Sequence, residues 1–244
     1  MRFSSALKYH LSNAKWPIII FYIVIYSLLI LLTVSYLLME KYGVRGKVGG
    51  LDTASMIFLF IVGLNSFKST FYMFVGNGIS RKTMFLSFAA MAGIVSVGMA
   101  AIDSLTSLVV SQFTNYQPTM FQLFAQRYSS YNITVFGEGL LWMVFSYMAA
   151  TMAGFFITTA YYRMNKAIKL LVSIGLPIFV FIVLPIIDAQ LFNGAIYSAI
   201  GTAIAYCSGI AVGSPYIGML TNTVLLGLFG TFAYLLMRRA TVKM

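Results

Sequence analysis

Long apolar runs, each closed by a short polar segment, dominate the chain from Trp16 onward. The first, Trp16 to Leu38, holds 23 residues without a charge. Further runs lie at about 56–75, 84–110, 139–161, 169–187 and 217–237. A helix needs about 20 residues to cross a hydrocarbon layer of about 30 Å, so each run is long enough. None alternates apolar and polar positions as a membrane β-barrel does. Lipid also forces every spanning backbone group to bond internally. The pattern predicts an all-α membrane protein with six transmembrane helices, forming one transmembrane domain over residues 1–244. The opening run, 16–38, is too long for the hydrophobic stretch of a cleavable signal and is read as a span.

Two segments outside the spans carry helical patterns of their own. Phe3, Leu7, Leu11 and Ala14 fall on one face of residues 1–15, with Arg2, Lys8 and Lys15 elsewhere. An amphipathic helix lying on the inner membrane surface is expected there, with His10 as a surface residue. Between the fifth and sixth spans, residues 188–216 contain the apolar stretch Gly194 to Val212. A seventh span would put Arg238, Arg239 and Lys243 outside, so a re-entrant helical segment at the outer face is expected instead. Gly201, Ala205, Gly209 and Gly213 recur every four residues, a spacing that lets helices approach closely, for tight packing or for gating. The outer loop, about 111–138, is expected to hold a short helix from Met120 to Arg127.

Composition supports the bilayer as solvent. Hydrophobic residues make up 60% of the chain and charged ones 9%, against about 25% charged in soluble domains. The net charge of +11 first suggests nucleic acid, but the basic residues sit in short loops between apolar runs. Membrane topology accounts for them, with lipid and not nucleic acid as the partner. With the N-terminus inside, the cytosolic pieces hold Arg2, Lys8, Lys15, Arg81, Lys82, Arg163, Lys166, Lys169, Arg238, Arg239 and Lys243. The outer pieces hold Lys41, Arg45, Lys47 and Arg127. Eleven basic residues against four place both termini in the cytosol. The first outer loop runs against this bias, partly offset by Glu40 and Asp52. Cys207 is the only cysteine, which excludes an internal disulfide and a cysteine-built metal site.

No enzyme constellation accompanies the spans. The single histidine and five carboxylates form no metalloprotease, serine-hydrolase or phosphate-loop pattern, so neither catalysis nor a bound cofactor is expected. Glu40, Asp52, Glu138 and Asp188 fall at outer ends of spans, as helix-end or headgroup residues. Lys68 lies about 10 Å above the cytosolic end of the second span and can snorkel. Asp103 lies about 28 Å above the cytosolic end of the third, too far from Lys68 to pair with it. It lies about a turn or two from the outer end, within reach of water, and is a candidate for a translocation path. Asn65, Ser66, Ser69 and Thr70 form a polar stripe on the second span, for interhelical hydrogen bonds or for lining that path.

The segment Phe74 to Thr83 is the most informative. Gly76-Asn77-Gly78 breaks a helix. Ser80 caps the next, with Ile79 and Met84 as a hydrophobic staple, and Arg81 and Lys82 hold the turn on the cytosolic side. Asn77-Gly-Ile-Ser-Arg-Lys-Thr83 resembles the G-(V/I)-S-R-(K/R) turn of ABC-2 type transporter permeases, especially small ones of Gram-positive bacteria. The order of features is similar over essentially the whole chain. The resemblance implies a plasma-membrane permease subunit of an ABC exporter. In such a protein Asn77, Gly78, Ile79, Ser80, Arg81 and Lys82 dock onto a cytosolic ATPase dimer, with residues 3–15 as a second contact. It further implies a second permease chain, identical or paralogous, ATP and magnesium bound by the partner alone, and a hydrophobic or amphipathic peptide, antibiotic or lipid-like cargo. The alternatives are an ATPase-independent secondary transporter or channel, and a membrane assembly or immunity factor.

Overall fold

The computed structural model describes residues 3–42, 49–128 and 132–241. The expectations on Arg2, Arg45, Lys47, Lys243 and the Glu40 side chain lie outside the described residues. In chain order the helices are α1 (Phe3–Lys41), α2 (Leu51–Asn65), α3 (Lys68–Gly76), α4 (Arg81–Val110), α5 (Thr119–Leu123) and α6 (Ile133–Arg163). They continue as α7 (Lys166–Leu191), α8 (Ala195–Cys207) and α9 (Pro215–Arg238). Among the described residues six stretches are long and apolar enough to cross a membrane: α1, α2 with α3, α4, α6, α7 and α9. They mark a multi-pass membrane protein. Arg81, Lys82, Arg163, Lys166, Arg238 and Arg239 cluster at one end of the bundle, called here the basic end. Asp52, Glu138 and Asp188 lie toward the other, acidic end.

The first element departs from expectation. α1 runs unbroken for 39 residues, about 58 Å, roughly twice a bilayer's hydrocarbon thickness. No boundary separates an interfacial helix over residues 3–15 from the first span; Pro17 lies inside the same helix. Leu7, Leu11 and Ala14 of the expected face do pack on the core, but the most deeply buried positions are shifted to one side of it. Ala6, His10 and Ala14 point inward, while Phe3 is 44% exposed. The i, i+4 spacing of two alanines and a histidine makes a shallow face that accepts bulky aromatics. His10 accordingly sits 5.3 Å from Phe74 and 5.8 Å from Phe88, ring centre to ring centre. It is a core residue and not a surface one.

Helix α6 is the centre of the bundle. It crosses α2 with the two backbones in contact: a Cβ on Gly63 would lie 2.1 Å from the Thr151 carbonyl oxygen. One on Gly154 would lie 2.2 Å from that of Phe60. Small residues at such a crossing replace the solvophobic drive that lipid does not supply. α4 joins α6 through Phe88 and Phe155, stacked at 4.0 Å, and α9 joins it through Phe156 and Phe229 at 5.6 Å.

α7 stands apart from this core. Asp188 is its one buried residue, and side chains such as Leu171, Phe181 and Ile182 are exposed around it. The helix widens to π geometry at Leu171–Gly175 and Phe179–Val183, each stretch ending two residues before a proline, Pro177 or Pro185. Proline has no N–H and its ring crowds the carbonyl four residues back, so the turn before it opens. Pro185 leaves the Val180 carbonyl without the N–H that a π turn would bring to it. The Tyr197 hydroxyl of α8 donates to that carbonyl at 2.6 Å.

α8 has 13 residues, about 20 Å, too short for a seventh span. The Asp188 carboxylate receives the N–H groups of Ile196 (2.8 Å) and Tyr197 (3.0 Å) at its start. Thr221 of α9 donates to the Cys207 carbonyl at its end, at 2.6 Å. Of the four-residue stripe, Gly209 makes the expected close approach, since a Cβ there would lie 3.3 Å from the Gly218 nitrogen of α9, but the stripe is not one continuous helix face. Gly209 and Gly213 lie beyond the helix, in a turn with φ of +81° and +67°, and a Cβ on Gly201 would meet nothing within 4 Å. α5 is likewise shorter than the expected Met120–Arg127 helix, ending at Leu123.

Candidate functional site

The turn between α3 and α4 is built from both sides by local signals. Gly78 takes a positive φ of +68°. The N–H of Ile79 bonds the Phe74 carbonyl at 2.8 Å and that of Gly78 bonds the Val75 carbonyl at 3.1 Å, the two bonds of a Schellman ending. Asn77 adds its side-chain amide to the Met73 carbonyl at 2.7 Å. Three residues later the Ser80 hydroxyl accepts the Thr83 N–H at 3.2 Å and caps α4. Ile79, Phe74 and Met84 are buried in the main core, so the turn is pinned from below, while Asn77, Gly78, Ser80 and Lys82 are exposed. Arg81 is half-buried and its guanidinium donates to the Arg238 carbonyl at the end of α9.

The turn rests on the first segment of α1. Tyr9 stacks obliquely on Phe74 at 5.4 Å, and His10 fills the gap between Phe74 and Phe88. The structure therefore packs the first segment of α1 against Phe74 and Phe88, which flank the turn on either side.

The expected polar stripe falls on a break in the second span. α2 ends at Asn65 and α3 starts at Lys68. Helix ends leave carbonyls unpaired, and here side chains take them up. Asn65 donates to the Ile61 carbonyl at 3.0 Å, Ser66 to that of Val62 at 2.5 Å, and Thr158 of α6 to that of Leu64 at 2.5 Å. Asn65 and Ser66 also line a cavity of about 140 Å³ shared with His10, Asn13 and Pro17. Ser69 and Lys68 are exposed. Thr70 faces the core, its Oγ1 without a hydrogen-bond partner among the described residues.

Asp103 is fully buried and does not face water. Tyr22 of α1 donates to one of its oxygens at 2.9 Å and Tyr147 of α6 to the other at 2.6 Å. The carboxylate thus ties α1 and α6 to α4. Ser55 of α2 stands beside it, fully buried, with Oγ outside hydrogen-bond geometry.

The carboxylates read as helix-end residues turn out to be ties as well. Asp52 is buried and takes the backbone N–H (2.8 Å) and hydroxyl (2.7 Å) of Thr119. Glu138 takes the hydroxyls of Tyr216, at 2.6 Å, and Tyr128, while Arg127 lies 5.3 Å from the Tyr216 ring centre. Burial, then the bond to Glu138, holds the Tyr128 phenol above its ordinary range, so it remains a donor. Asn132 caps α6 by accepting the Val135 N–H at 3.1 Å.

Sequence reasoning missed Tyr22, Tyr147, Thr119 and His10 as members of these constellations. The available signal was a tyrosine inside each of two apolar runs, a polar tip that a span holds only where it finds a partner. Compared with known protein families, curated proteins and solved structures, the chain matches none.

Proposed function

We propose that this chain is the permease subunit of an ABC exporter of the ABC-2 type. It lies in a bacterial plasma membrane with both termini cytosolic, and it works with a separate ATPase dimer and a second permease chain. The observation that carries the reading is the turn at 77–82. Its exposed side chains sit on a frame fixed by two caps and three buried apolar residues, next to the long basic start of α1. A coupling element needs such a frame, because a flexible loop would absorb the displacement that nucleotide-driven closure imposes. The cargo is a hydrophobic or amphipathic peptide, antibiotic or lipid-like molecule that moves between two permease chains. α8, fastened at both ends at the acidic side, serves as the re-entrant outer segment.

The test is whether a protein with a P-loop is encoded beside this chain and co-purifies with it from detergent, followed by ATP hydrolysis. Arg81→Glu/Lys82→Glu is expected to lose assembly or to uncouple hydrolysis. Wild-type assembly and turnover in that variant would remove the docking role.

A further inference from the structure

A cavity of about 510 Å³ opens at the basic end, between the last turns of α6 and α9. Three arginines are among its lining residues, Arg163 of α6 and Arg238 and Arg239 at the end of α9. The remaining lining is apolar: Phe232, Leu235 and Leu236. We propose that this cavity binds the phosphate-bearing headgroup of an anionic phospholipid, with its acyl chains lying along α9.

Three observations point to that ligand. The first is charge. The five carboxylates of the chain, Glu40, Asp52, Asp103, Glu138 and Asp188, all lie toward the opposite ends of their helices. Among the described residues the cavity therefore has no acidic side chain at its own end to neutralise it. Guanidinium forks match phosphate oxygens two at a time and are weakly hydrated, so they favour a phosphate over a simple halide.

The second is depth. α9 carries no charge from Pro215 until Arg238. Phe232 and Leu235 are half-exposed on its outer side, at 51% and 49%. The change from apolar to cationic lining thus occurs where a span leaves the hydrocarbon, at the level of lipid headgroups. A soluble anion would have no use for the apolar floor.

The third is the end of α9 itself. The last carbonyls of a helix carry partial negative charge that repels an anion. Here the Arg238 carbonyl is already bonded by the Arg81 guanidinium. That contact satisfies the carbonyl and leaves the side chains of Arg238 and Arg239 to act on the ligand.

The inference does not rest on an ATPase partner and is tested on the isolated full-length chain. The chain is purified in a neutral detergent, mixed with equal amounts of phosphatidylglycerol and phosphatidylcholine, and its retained lipid is counted by native mass spectrometry. Wild type is expected to retain phosphatidylglycerol preferentially. Arg163→Gln/Arg238→Gln/Arg239→Gln is expected to lose that preference by roughly tenfold or more. The charge-matched variant Lys8→Gln/Lys15→Gln/Lys68→Gln is expected to keep it. Circular dichroism of each variant checks that the helices persist. Absence of a preference in wild type, or equal loss in both triple variants, would overturn the proposal, because diffuse charge attraction would then suffice. Displacement of the lipid by inorganic phosphate, but not by chloride at the same ionic strength, would also overturn it in favour of a soluble-anion site.

Discussion

A single carboxylate fixes three helices. Asp103 has no exposure, and its two oxygens take separate tyrosine hydroxyls from α1 and α6. Removing it strands the Tyr147 hydroxyl and leaves that of Tyr22 only its longer contact with the Met99 carbonyl, at 3.3 Å, whereas removing one hydroxyl leaves the other bond intact. Asp103→Ala is therefore expected to destabilise the bundle by about 2–4 kcal/mol, since an unsatisfied buried polar group costs about 1–3 kcal/mol. Tyr22→Phe or Tyr147→Phe is expected to cost about 0.5–2 kcal/mol, the range of hydrogen bonds between membrane helices. Thermal unfolding in detergent gives the order; a Tyr147→Phe loss as large as that of Asp103→Ala would contradict this account. The charge of Asp103 was legible in the sequence, but its partners were not. They lie 81 and 44 residues away and come together only when α1, α4 and α6 pack.

At the scale of elements, two contacts carry consequences. The α2–α6 crossing has backbone against backbone at Gly63 and Gly154. Gly63→Leu or Gly154→Leu must push the helices apart, with an expected loss of about 3 kcal/mol or more, the upper range for overpacking. Gly98 of α4 is a control, because a Cβ there meets nothing within 4 Å. Gly98→Ala is expected to stabilise by about 0.5–1 kcal/mol through backbone entropy. The second contact joins α7 to α8. Tyr197→Phe leaves the Val180 carbonyl unpaired and is expected to cost about 1 kcal/mol. In a Pro185→Ala background the restored N–H can reach that carbonyl, so the cost should largely vanish. Additive losses in this double-mutant cycle would refute the link between the proline and the tyrosine.

For the whole molecule, orientation is the first quantity to measure. Ser80 and Gln126 are both exposed, at the basic and acidic ends. With Cys207→Ser as background, Ser80→Cys and Gln126→Cys are expected to react with a membrane-impermeant maleimide from opposite faces. Ser80→Cys should react only in inverted vesicles or broken cells, and labelling of Ser80→Cys in intact cells would reverse the topology and the proposed docking. The same arrangement explains why the basic turn, the start of α1 and the arginine cavity share one end. Each span that returns there brings its terminal cations with it.

The order and number of long apolar helices followed from the sequence, because crossing a hydrocarbon layer requires uninterrupted apolar length, which is a property of consecutive residues. The caps of the 74–83 turn followed for a similar reason: the Gly78 and Ser80 interactions close within six residues. Tertiary packing alone decided the rest. It put His10 in the core, brought the Thr158 hydroxyl of α6 to the Leu64 carbonyl at the break in the second span, and left α7 outside the core. These outcomes depend on which face meets which neighbour, and in a chain that is apolar on nearly every face, periodicity carries too little contrast to specify that.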